Sequence, residues 1–353
     1  MKLNWLPIFA SLALAGVACT KPEPKAATPE KPAAAQPKAE KAPTPVVAEK
    51  ADNPACFGSP GGKARELALG ALTFKGDGYT MAAAGDAAAS GKLTVGVISD
   101  IKEFLPETVA NLKSFAAWIK AAGAGMVVVN GDVAYSQKEM ESVLRVLGAE
   151  LTVPILVTSG NKELARDFDL ALTNVSADHP QIINGNRVRS VKVNDITFVT
   201  LPGYGRKNYT EPGACLFSQG EIDETGTLLK NAAGLRVLVA HASPLQAGPD
   251  GVDYMVDGKN VGDERIAKML AETGTKFAIV GNIKEAGGRG ATIAGKGVKQ
   301  GQASEELVLN PGPADATPWS MVDKSVSHGM AAVVSFEAGK ASYQVKRAEA
   351  PKK

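Results

Sequence analysis

The chain has 353 residues, 44% of them hydrophobic and 22% charged, with a formal net charge of +2. That length supports one large or two ordinary domains with a buried core. The near-neutral balance and the 5% aromatic content exclude a dedicated nucleic-acid binder, and three histidines in the whole chain leave a hydrolase built on imidazole-bound metals short of ligands.

The first segment reads as an address. Residues 1–18 have a basic start at Lys2, an apolar run from Leu3 to Ala15, and small residues up to Cys19. This is a secretory signal, too short for a stable spanning helix. The run Ala15-Gly16-Val17-Ala18-Cys19 resembles the bacterial lipoprotein box, in which the Cys becomes the lipidated first residue. The resemblance implies a protein anchored to a membrane through Cys19. Thr20 in the next position points to the outer membrane, with the chain facing the periplasm. Residues 19–52 are almost entirely Ala, Pro, Lys and Glu, with prolines at 22, 24, 29, 32, 37, 43 and 45. Proline at that density forbids a helix and cannot support a sheet, and too little apolar surface is present to offset ordering. The segment is expected to be a disordered tether, reaching on the order of 100 Å when extended at about 3.1 Å per residue. With Cys19 lipidated, Cys56 and Cys215 remain, and an oxidising compartment favours a disulfide between them over two buried thiols.

Residues 53–92 read as an extension packed on a domain that spans 93–345, and 346–353 as a disordered tail. Within the domain, Leu93–Ile98, Met126–Val129, Val153–Val157, Ile196–Leu201, Leu235–Ala240 and Phe277–Val280 are continuous apolar runs, the pattern of strands covered on both faces. Between them, Glu107–Ala122 puts Val109, Leu112, Phe115, Ala116 and Ile119 on one helical face after Pro106. Ser136–Leu147, Glu163–Leu172, Glu221–Lys230 and Asp263–Glu272 read as helices too. Val188–Val193 and Asp195–Leu201 form a predicted hairpin about Asn194, and Met330–Phe336 and Ala341–Val345 close the domain. Strand and helix in alternation define an α/β fold. The run Gly290 to Gly297 approaches a phosphate-binding loop but ends in Gly297 instead of Ser or Thr, so it reads as a flexible loop. His179 and His328 read as loop residues, and Trp118 as helix core.

Ligands gather at the carboxyl ends of strands in open α/β sheets. Those ends here read Ser99-Asp100-Ile101-Lys102, then Gly131-Asp132, then Gly160-Asn161-Lys162-Glu163, then His241, then Gly281-Asn282-Ile283-Lys284, with Asn310-Pro311-Gly312 downstream. In order and spacing the series resembles the calcineurin-like metallophosphoesterase family, whose pattern is Asp-x-His, Gly-Asp, Gly-Asn-His-Glu, a lone His, and Gly-His-x-His. The resemblance implies a sandwich of two mixed β-sheets flanked by helices, and a two-metal centre that activates water and clamps a phosphoryl group. It assigns Asp100, Asp132, Asn161, His241 and Asn282 to vestigial metal-ligand positions. Lys102 and Lys284 stand where imidazoles belong, and Lys162 stands where the family has its leaving-group acid.

A lysine ammonium repels a divalent ion, and deprotonating two neighbouring lysines is costly. The expectation is therefore no resident metal, or at most one divalent ion bound weakly. Lys102, Lys162 and Lys284 are expected to replace the metals' charge by pairing with the aspartates, since buried carboxylates need partners. The function expected from these substitutions is binding or assembly with an envelope protein partner. The alternatives are a phosphoesterase with a reduced single-metal site, and anion or solute binding at the lysine cluster.

Overall fold

The computed structural model describes residues 55–350, apart from 63, 70–71 and 85–90. The signal sequence, the lipidation site Cys19 and the tether expected over 19–52 lie outside the described residues. No helix among the described residues is long and apolar enough to cross a membrane.

Two sheets face each other. In the six-stranded sheet the spatial order is Lys340–Arg347, Met330–Glu337, Lys92–Ile98, Met126–Asn130, Ile155–Thr158 and Ile182–Asn184. The last four of these run parallel. The centre of the ten-stranded sheet is a second parallel set, Ile196–Leu201, Leu235–Ala240, Phe277–Ile279 and Leu307–Asn310. Alternate residues along each strand point to opposite faces. Val95, Val97, Met126 and Val128 therefore meet Phe198, Val237, Val239 and Leu309 inside the sandwich. Phe336 packs edge-on against both Phe198 and Phe277 there.

The outward residues of the six-stranded sheet, Ile98, Val127 and Val129, are covered by helices Pro106–Ala121, Gln137–Glu150 and Ala165–Asp178. Those of the ten-stranded sheet are covered by Gln219–Asn231 and Glu264–Thr273. The helices begin where the sequence supplies caps. Pro106 occupies the first turn of its helix, Ser136 accepts from the Glu139 backbone, and Ser218 with Glu221 forms a capping box.

Three readings of the sequence need correction. Within the extension expected over 53–92, Arg65–Leu69, Leu72–Gly76 and Thr80–Ala84 are an antiparallel set of the ten-stranded sheet, and the third pairs in parallel with Ser190–Val193. The expected loop over 290–297 is a hairpin of Arg289–Ala291 with Gly297–Val298, held because Arg289–Ala291 also pairs with Leu307–Asn310. The final strand runs on to Arg347, two residues into the expected tail. The disulfide between Cys56 and Cys215 is present, with Cα atoms 5.4 Å apart and both residues buried.

Candidate functional site

The two parallel sets end on the same edge of the sandwich, and Asn130 joins them. Its side-chain amide donates to the Ala240 carbonyl across the sheets, while its own carbonyl accepts from Ser99 Oγ and from His241 Nδ1 at 2.8 Å. Three loops then turn sharply. Asp100, Lys102, Asp132 and Asn282 have φ of 54°, 62°, 51° and 62°, the left-handed region that costs a non-glycine residue about 1–3 kcal/mol. Backbone hydrogen bonds hold these turns in place: Asp100 N donates to Gly131 O, and Lys102 N to Asp132 O. Gly131 is required, because its φ is 76° and a Cβ there would lie 2.5 Å from the His241 ring.

The result is a buried cluster in which ligand atoms of Asp100, Asp132 and His241 lie within 4.8 Å of one another. Lys284 lies among them. Its Nζ stands 2.9 Å from Asp100 Oδ1, as an ion pair, and 3.9 Å from Asp132 Oδ2. It also donates to Asn282 O. Burial disfavours the Lys284 ammonium, but Asp100 and Asp132 outweigh it and raise the pKa, so the lysine stays charged. Burial likewise opposes ionisation of Asp100 and Asp132. Lys284 and His241 lower the first, and His241 with Lys284 lowers the second. Both are therefore carboxylates. His241 Nε2 lies 3.4 Å from Asp132 Oδ1. Burial works against its charge, but Asp132, Asp100 and Glu163 raise its pKa to about 9.

The three lysines do not act alike, which corrects the expectation of triple neutralisation. Among the described residues Lys284 is the one of the three within ion-pair distance of the aspartates, although the Lys102 charge also lowers the Asp100 pKa. Lys102 lies with its Nζ 4.4 Å over the Trp319 ring and makes no ion pair among the described residues. Burial, then the Lys284 charge, lower its pKa to about 8. Lys162 is half-buried and has no hydrogen bond or ion pair among the described residues. Asn161 donates from its side chain to Tyr209 O, leaving its Oδ1 buried without a partner, and Asn282 donates to the Tyr204 hydroxyl at 2.9 Å.

Several contributors escaped the sequence reading. Glu163 is wholly buried and accepts from the backbone N–H groups of Val133 and Gly160, bracing both loops. Burial, then Asp132, push its pKa to about 7. Asp315 accepts from Trp319 Nε1 at 2.8 Å and so sets the ring on which Lys102 lies; burial raises its pKa to about 6. Glu163 was legible as the last residue of a motif already noticed. Asp315 and Asn130 carried no local signal.

The donor set decides which metals fit. A two-metal centre would share the carboxylates that the Lys284 ammonium already holds. Two unit charges 4 Å apart repel by about 4 kcal/mol at an effective dielectric of 20, and by twice that for a divalent ion. A bimetallic centre does not fit these residues. A single ion would find two buried oxygens without hydrogen-bond partners, Asp132 Oδ2 and Asn161 Oδ1, and could use His241 Nε2 only by displacing the proton that Asp132 and Asp100 hold on the ring. The Asn130 carbonyl accepts from Nδ1, so Nε2 is the nitrogen that would have to lose its proton to ligate a metal. Such an ion would still have to outcompete Lys284 for Asp132.

No family model and no curated protein matches the chain. Solved structures do. One aligns over 74% of this chain and 100% of its own at 14% identity and a TM-score of 0.52. TT1561 of Thermus thermophilus aligns over 73% of this chain and 99% of its own at 12% identity, with a TM-score of 0.50. A dimetal phosphatase from Danio rerio covers similar shares, 73% and 99%, at 11% identity and a TM-score of 0.44. At such identities the likeness is one of fold. That fold is a sandwich of two mixed sheets with flanking helices.

Proposed function

We propose that this chain is a non-catalytic protein of the phosphoesterase fold, exported and anchored to a bacterial envelope through a lipidated Cys19, which acts by binding an envelope protein partner. The observation that carries the non-catalytic reading is Lys284, whose ammonium stands 2.9 Å from Asp100 and 3.9 Å from Asp132. An ammonium supplies the charge of a metal but neither a coordination site for water nor Lewis acidity. Lys162 at the leaving-group position adds to it, since an ordinary lysine is a far weaker acid than an imidazolium at neutral pH. The leader and tether support the envelope placement by their composition alone.

The test combines elemental analysis of the purified full chain with turnover of a generic phosphodiester in added manganese. The expected result is substoichiometric metal and no turnover above that of Asp132→Ala. One equivalent of zinc, manganese or iron, together with turnover abolished by Asp132→Ala, overturns the proposal. It would establish the second reading, a single-metal hydrolase, which is favoured by Asp132 Oδ2 and Asn161 Oδ1, both buried without a hydrogen bond.

A further inference from the structure

Helix physics does not ask for leucine at two positions on the edge that carries the site. Leu105 and Leu164 are the N-cap residues of helices Pro106–Ala121 and Ala165–Asp178, and neither makes a side-chain cap. Asn, Asp, Ser and Thr are favoured at that position, and leucine is among the poorest choices. Burial does not account for them either, since Leu105 is 51% and Leu164 36% exposed. A residue that breaks a local rule and serves neither its helix nor the core is free to serve a contact outside the chain.

The two leucines have neighbours of the same kind. Phe104, Tyr135 and Tyr209 are exposed on loops that leave the site, so five of the eight large apolar side chains exposed among the described residues share one edge. Their four loops are joined to one another. Lys102 N donates to Asp132 O, Val133 N to the Glu163 carboxylate, the Asn161 side chain to Tyr209 O, and Glu211 N to Asn161 O. Clustering of this kind marks an interaction surface, and scattered exposure does not. Charges of both signs stand among them, Lys102, Lys162, Arg206 and Lys207 beside Glu103, Glu107 and Glu211.

The chain enters the domain at this same edge. The Ala55 carbonyl accepts from Asn186, Cys56 is bonded to Cys215, and the adjacent Ala214 bridges to Leu164. A lipid on Cys19 would therefore hold the domain from the side on which the rim stands. Once a chain is tethered, a second contact with the same bilayer becomes intramolecular, so side chains too few to retain a free protein suffice to orient a tethered one. Tyrosine settles at the headgroup level, and Phe and Leu at the acyl boundary. Zwitterionic headgroups answer charges of mixed sign.

We infer that the rim of Phe104, Leu105, Tyr135, Leu164 and Tyr209 rests on the surface of the bilayer that holds Cys19, in contact with zwitterionic phospholipid. The inference rests on the anchoring reading above and adds the edge that meets the membrane. It is tested with the mature full chain, extracted from membranes and reconstituted into vesicles of phosphatidylethanolamine and phosphatidylcholine. A photoreactive phenylalanine analogue is placed at Tyr135 or, as a control, at Ala338, in the turn beyond Glu337. Because Glu337 pairs with Lys92, Ala338 lies at the opposite end of the strand that leads to Asp100.

Position 135 should give about tenfold more phospholipid adduct than position 338, the effect of roughly 1.4 kcal/mol. Leu105→Asn combined with Leu164→Asn should remove that excess, and Leu105→Met combined with Leu164→Met should keep it. The asparagine pair should melt no lower than wild type, because asparagine is a favoured N-cap; should it melt lower, the comparison of positions 135 and 338 decides by itself. Equal adducts from the two positions, an excess indifferent to the asparagine pair at an unchanged melting temperature, or a crosslink from position 135 to this chain in place of lipid overturns the inference. In each of those cases an intact mass with lipid on Cys19 leaves the anchoring reading standing, and an intact mass without it removes both.

Discussion

Lys284 holds together a cluster that would otherwise repel itself. Asp100 and Asp132 are both about 1% exposed, and their carboxylates cannot remain buried without a cation. Lys284→Met should cost about 3–5 kcal/mol at pH 7 in urea denaturation, because it strands two charges. The folded pKa values of both aspartates are lowered, so their contribution exists above the ordinary carboxylate pKa of about 4 and is lost as pH falls below it. The wild type and Lys284→Met should therefore draw closer in stability as pH falls below 4; a gap undiminished at pH 2 would mean that the lysine acts by packing and not by charge. His241 has the opposite sign. Its pKa rises from the ordinary 6.5 to about 9, so its contribution is complete below pH 6.5 and disappears as pH rises through 9. Thermal melts of wild type should decline across that window by no more than about 3 kcal/mol, and His241→Asn should flatten the profile.

The loops that carry these residues depend on elements far from them in sequence. Cys56 precedes the first strand, while Cys215 lies beside Tyr204, whose N–H donates to the Cys215 carbonyl and whose hydroxyl accepts from Asn282. The disulfide closes a sequence separation of 159 residues. Replacing both cysteines with serine should cost about 2–5 kcal/mol, measured in guanidinium, by freeing the unfolded chain. An unchanged midpoint would show that strand pairing alone docks residues 55–84. That pairing is substantial, since Phe74 and Met81 enter the sandwich interior. Nothing local announced it. Leu72–Gly76 and Thr80–Ala84 are short, partly exposed and poor in β-branched residues, and their partner Ser190–Val193 lies more than 100 residues downstream. The Gly290 hairpin was illegible for the same reason: its N–H donates to the Tyr343 hydroxyl, and glycine-rich segments take their pairing from neighbours.

Taken as one chain, the protein joins a two-sheet sandwich to a site whose charges are internally compensated. Fold does not carry function across such a change, because chemistry resides in the site. On the proposed reading, a domain of this kind needs to be held where its partner is, and Cys19 with the segment to residue 52 would do that. Cys19→Ser should shift the protein from the membrane fraction to the soluble periplasmic fraction. Retention in the membrane after that change would show attachment by some other route.

What could be read from residues in a line was the recurrence of short apolar runs, each followed by a polar turn, and the identity of the groups at those turns. These are local properties, and they were enough to expect an α/β sandwich and to single out Asp100, Asp132, His241 and Lys284, which the structure brings together. They could not say which lysine would meet which carboxylate. That depended on left-handed turns at Asp100, Lys102, Asp132 and Asn282, and on Trp319, set by Asp315, lying under Lys102. Those are consequences of two sheet edges meeting through Asn130. A side chain's partner is fixed by distances between segments remote in the chain, and only the packed sandwich contains those distances.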